Sequence, residues 1–177
     1  VGRLLTESHI EWTGTFNKRP EKGLVGLDIT KVQDVEDVFL KVKPDVIVCL
    51  GDFADMPSLS SYDAKGSKAY EGKRYKEDVK AAKEGMKLLL KPLRDYQKWS
   101  VSSHKPRYEP RLVMLYGNHE DRITRAINAD PQHLEGMISL EDLGYKEAGW
   151  EVVTFLQPIE IDGVVYKVSR CDWQERL

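Results

Sequence analysis

The sequence predicts a mixed α/β domain, and three observations carry that prediction. Two short apolar runs, Val46-Ile47-Val48-Cys49-Leu50 and Leu112-Val113-Met114-Leu115-Tyr116, are rich in β-branched or aliphatic residues, and each is closed by a glycine, Gly51 and Gly117. Continuous runs of that length, bounded by punctuating residues, fit strands buried on both faces. A helical pattern precedes the first run, and a helix feeding a buried strand is the building step of an α/β sheet.

Val32, Val35, Phe39 and Val42 recur at spacings of three and four, which places them on one helical face, with Thr30 or Asp28 available as a cap. Pro44-Asp45 then opens the first strand. Between the two strands lies a long insertion at about residues 62–110. Within it Tyr75, Val79, Ala82, Met86, Leu89, Leu90 and Leu93 form an apolar stripe at helical spacing, with lysines between them. Core packing is the expected use of such a stripe. Pro92 is expected to kink or end this helix, because it lacks an N–H and crowds the preceding turn. Ser100 to Pro110 reads as a connector. Near the C-terminus Val152 to Leu156 and Val164 to Val168 read as strands, and Asp162-Gly163 is a hairpin-turn signal. The later strands are therefore expected to pair antiparallel.

At 177 residues the chain fits a single domain, 1–177, and 41% hydrophobic residues suffice for a core. Only two cysteines occur, Cys49 and Cys171, which excludes a disulfide scaffold or a cysteine-rich zinc site. No apolar run approaches the roughly 20 residues that cross a bilayer, and the N-terminus lacks a secretory signal pattern. An intracellular, cytoplasmic protein with no membrane partner is expected. The formal charge is −2, yet residues 65–107 hold 13 Lys+Arg and 5 Asp+Glu, or +8, which leaves −10 on the rest. A basic segment in an acidic chain can attract phosphate, on nucleic acid or on a small substrate. A solvated lysine face is the competing reading.

Each buried strand ends in glycine followed at once by polar residues: Gly51-Asp52-Phe53-Ala54-Asp55 and Gly117-Asn118-His119-Glu120. Ligands of open α/β sheets bind outside the carboxyl ends of the strands, where such loops project. Asp52 and Asn118 would offer hard oxygen donors at one place, suited to Mn, Mg, Fe or Zn, with His119 beside them as a proton donor. Taken singly, either turn reads as a polar strand cap; the pair in these positions reads as a site.

These two motifs resemble the GDxxD and GNH[DE] motifs of calcineurin-like metallophosphoesterases. The stretch PDVIVCLGDFADMPSLSSYD looks particularly like phosphoesterases encoded by bacteriophages, so a phage-infected host is an implied setting. The resemblance covers roughly Asp28 to Val168. It implies a sandwich of sheets flanked by helices and metal-dependent hydrolysis of a phosphomonoester or phosphodiester. Two divalent metal ions would activate a water, and a nucleic acid is one candidate substrate. By motif, Asp52 would bridge the metals, Asn118 would bind one, and His119 would act in catalysis. Asp55 and Glu120 would orient the ligands, and Arg122 would reach substrate phosphate or form a surface salt bridge.

The sequence departs from the family twice. The D-x-H motif is absent in that form; Glu7-Ser8-His9 is the nearest candidate for supplying Glu7 and His9 as metal ligands, and Asp28-Ile29-Thr30 competes with it. The family's downstream histidines have no counterpart, since none occurs after His133; His104 and His133 read as surface residues. The expectation is a member lacking its C-terminal part, holding one metal or two. Two further readings stay open. One is a truncated, inactive remnant, and the other is a nucleic-acid-binding protein that uses the basic 65–107 segment.

Overall fold

The computed structural model describes residues 3–6, 25–28, 32–60 and 72–169. Its main sheet has five strands in the order β2-β1-β3-β4-β5, formed by β1 (Arg3–Thr6), β2 (Val25–Asp28), β3 (Val46–Cys49), β4 (Arg111–Leu115) and β5 (Glu151–Val153). The two apolar runs are the adjacent central strands. They pair parallel with Val46 opposite Arg111 and Cys49 opposite Met114, so both end at the same edge of the sheet. β5 extends the parallel set, while β1 pairs antiparallel with both β2 and β3. The expected antiparallel pairing of the later strands holds around Asp162-Gly163, where Ile159–Ile161 pairs antiparallel with Val164–Tyr166, and needs correction for β5, which runs parallel to β4.

Both faces of β3 and β4 are covered, which explains why those strands read as unbroken apolar runs. Ile47, Cys49, Leu112 and Met114 belong to the larger core, with Phe39, Met86, Leu90, Leu93, Ile123 and Tyr145. Val48, Val113 and Leu115 point the other way, against Ile161 and Tyr166. Those last two come from a hairpin of β6 (Ile159–Ile161) and β7 (Val164–Tyr166). Its turn is the Asp162-Gly163 pair, both at positive φ, 51° and 78°. That twist matches the strands it joins. β7 is shorter than the expected Val164–Val168, and β5 begins at Glu151 and stops at Val153, short of Leu156.

On the helical face, α1 (Val32–Asp37) runs into a wide π turn at Val38–Val42, closed by the Lys43 N–H on the Val38 carbonyl at 3.0 Å. The extra residue in that turn rotates the pattern, so Val38 and Phe39 are buried while Val42 is 38% exposed. The candidate cap Thr30 lies outside the described residues. α2 (Tyr75–Ser102) continues through Pro92, so of the two expected outcomes, a kink or an end, the helix end is ruled out. Met86, Leu89 and Leu90 before the proline and Leu93 after it are all buried, and their burial holds both halves on the same core. The carbonyl that Pro92 leaves unpaired belongs to Leu88, which is 72% exposed. α3 (Asp121–Ala129) and the short α4 (Pro131–Leu134) follow β4. Among the described residues no helix is long and apolar enough to cross a membrane.

Candidate functional site

The loops after β3 and β4 meet backbone to backbone. A Cβ placed on Gly51 would lie 2.6 Å from the Cα and N of Gly117. One placed on Gly117 would lie 2.3 Å from both the N and the Oδ1 of Asp52. No side chain fits at either position, so glycine is required by contact, and at Gly51 also by a φ of 73°. Asp52 itself is left-handed at φ 53°, a conformation that aspartate tolerates better than most residues.

Glu120 joins the two loops. Its side chain is fully buried, and its carboxylate accepts the backbone N–H groups of Asp52, Gly117 and Ala54, each at 2.9 Å. The Tyr145 hydroxyl approaches the same carboxylate at 3.4 Å. Burial pushes the Glu120 carboxyl above its usual range, and the Asp52 charge adds to that, while the backbone N–H groups of Ala54 and Gly117 pull it down. A further link crosses between the loops, the His119 N–H donating to Asp52 Oδ1 at 2.9 Å.

Around this staple the motif side chains take distinct positions. His119 Nδ1 lies 2.9 Å from Asp55 Oδ1, within ion-pair range, yet this buried nitrogen makes no aligned hydrogen bond. Arg122 is buried and donates to the Asp55 and Met56 carbonyls at 2.6 and 3.3 Å. Its guanidinium thus clamps the first loop, with the Asp55 carboxylate 3.6 Å away. Asn118 is held by Arg125, whose Nη2 donates to the backbone oxygen at 2.7 Å and to Oδ1 at 3.1 Å. Arg125 is itself held by Asp121, 3.3 Å away and one turn earlier on α3. Sequence reasoning singled out neither Arg125 nor Tyr145. The Asp121–Arg125 spacing was the only available signal for the former, and nothing marked the buried Tyr145.

Asp52, Asp55, Asn118, His119, Glu120 and Arg122 are therefore brought together; Glu7 and His9 lie outside the described residues. His104 is exposed, and His133 is 71% exposed and paired with Asp130 at 2.8 Å. The donors at the strand ends suit a hard divalent cation in kind: two side-chain oxygens, with a buried imidazole nitrogen that has no hydrogen bond beside them. In number they fall short, because no group of three or more His, Cys, Asp or Glu able to hold a metal occurs among the described residues. No family model, curated protein or solved structure matches the chain.

Proposed function

We propose that the chain is a metal-dependent phosphoesterase of the calcineurin-like type, hydrolysing a phosphomonoester or phosphodiester. The observation that carries this reading is the Glu120 staple, which fixes the Asp52 and Asn118 loops side by side at the ends of two adjacent parallel strands. A polar cap has no need of three buried hydrogen bonds to hold it against its neighbour; a preorganised site does. A sheet with helices on one face and a hairpin on the other is compatible with the sandwich that the motifs imply.

Asp52 and Asn118 are the residues that would hold a divalent ion, with Glu7 or His9 as further candidate donors. Such an ion supplies a Lewis acid for a phosphoryl oxygen and lowers the pKa of an attacking water. Glu120 contributes no ligand in this reading, since its carboxylate is spent on backbone N–H groups. Arg125 fixes the direction in which the Asn118 oxygen points. Asp55 Oδ1 lies 2.9 Å from His119 Nδ1 without an aligned hydrogen bond, so its hold on the ring is electrostatic, and Nε2 is the nitrogen that would present a proton to the departing oxygen. Arg122 keeps the Asp55–Met56 turn in place, so its effect on a substrate is indirect.

The test is hydrolysis of p-nitrophenyl phosphate and bis-p-nitrophenyl phosphate with added Mn²⁺ and after chelation. The reading predicts turnover that appears with Mn²⁺ and vanishes with the chelator. Equal, negligible rates under both conditions on both esters would contradict it.

A further inference from the structure

We propose that the outer face of α2 is a binding surface for the phosphate backbone of a nucleic acid. The helix is 28 residues long. At 100° per residue, Lys76, Lys80, Lys83, Lys87, Lys91, Arg94 and Lys98 fall within an arc of about 80°, in a row about 33 Å long. The buried stripe of Ala82, Met86, Leu89, Leu90 and Leu93 lies to one side of the row and borders it only at Leu90, about 20° from Lys83, so most of the row is a separate face.

Two members of the row are already engaged: Lys91 pairs with Asp95, and Arg94 donates to the Ala148 carbonyl at 2.6 Å and to Gln97 at 3.0 Å. Lys76, Lys80, Lys83, Lys87 and Lys98 are exposed and have no ion pair among the described residues. Glu77, Glu84 and Asp95 flank the row, which keeps an excess of positive charge in a protein whose net charge is −2. A linear array of cations spaced by single helical turns matches a linear polyanion better than it matches one small phosphate.

The helix that carries the row starts beside the candidate site, through contacts made by its opposite side. At its start the Ser58 N–H donates to Asp78 and the Tyr75 hydroxyl to Asp142, so this end of α2 packs beside the loop that carries Asp52. At its far end Tyr96 bonds Lys43 and Tyr108 bonds the Pro44 carbonyl, at the opening of β3. The binding stands whether or not Asp52 supports hydrolysis.

The experiment is fluorescence anisotropy of a labelled 20-base-pair DNA duplex titrated with the full chain between 50 and 200 mM salt. If five free lysines each displace a counterion, affinity falls about 500-fold over that range, at a slope of about −0.9 per contact. The quadruple variant Lys76→Gln, Lys80→Gln, Lys83→Gln, Lys87→Gln keeps helix propensity and exposed positions. It is expected to weaken binding at 50 mM and to lose only about fourfold over the same range. A control variant replacing Lys41, Lys146 and Lys167 by Gln is expected to bind like the parent, and circular dichroism checks the fold of each. An unchanged salt slope in the quadruple variant would overturn the proposal. So would no binding by the parent chain, or competition by polyglutamate of equal charge as strong as that by unlabelled duplex.

Discussion

Glu120 is the residue on which the candidate site depends most. Its three accepted N–H groups come from both motif loops, and removing the carboxylate leaves them buried without partners. An orphaned buried donor costs about 1–3 kcal/mol. Glu120→Ala is therefore expected to lower stability by several kcal/mol in urea denaturation. Glu120→Gln, which can keep the oxygen shared by Asp52 and Gly117, is expected to lose about 1–3 kcal/mol. Equal stability of all three proteins would contradict the staple. Cys49 offers a second test at this scale. It is fully buried beside the staple, and burial pushes its thiol up to about 12, with the Glu120 charge adding to that. The folded state thus keeps a proton that the unfolded chain releases from about pH 9, so this group costs stability as pH rises from there toward 12. At pH 8 labelling of Cys49 by a thiol reagent is expected only as fast as the protein opens, and in denaturant at once. Peptide mapping separates it from Cys171; immediate labelling of the native protein would show that Cys49 is accessible.

Among the elements, the central strands were legible because burial on both faces writes itself as an unbroken apolar run, and Asp162-Gly163 because its turn demands those residue types. The Gly-polar loops were legible for the same local reason. Other features depend on contacts between distant parts of the chain and left no local mark. The antiparallel placement of β1, the π turn that frees Val42, the burial of Arg122 against Asp55 and Met56, and the hold of Arg125 on Asn118 are of this kind. Pro92 shows local propensity losing to tertiary packing: a residue that breaks isolated helices is carried by Leu89, Leu90 and Leu93. Pro92→Ala restores an N–H and relieves crowding, and is expected to raise stability by about 1 kcal/mol. Leu93→Ala empties a side chain that is 1% exposed and is expected to cost about 2–5 kcal/mol. Both are read from urea midpoints; a destabilised Pro92→Ala would show that the helix needs its proline.

For the molecule as a whole, the layering and the charge point the same way. Helices cover one face of the sheet, the β6–β7 hairpin covers the other, and the motif loops emerge at the edge where β3 and β4 end together. α2, which carries the basic face, starts beside the loop that follows β3, in a chain that is otherwise acidic. The charge imbalance was visible in the sequence as a bare count, and the helix turns it into a line. The central claim is that the Asp52 carboxylate serves metal-dependent phosphoester hydrolysis. Its most direct test is the rate of bis-p-nitrophenyl phosphate hydrolysis at fixed Mn²⁺ by the parent chain and by Asp52→Asn, which keeps the oxygen that accepts the His119 N–H. The account predicts activity in the parent and a loss of at least 100-fold in the variant, about 2.7 kcal/mol in transition-state stabilisation. Equal rates in the two proteins would contradict it.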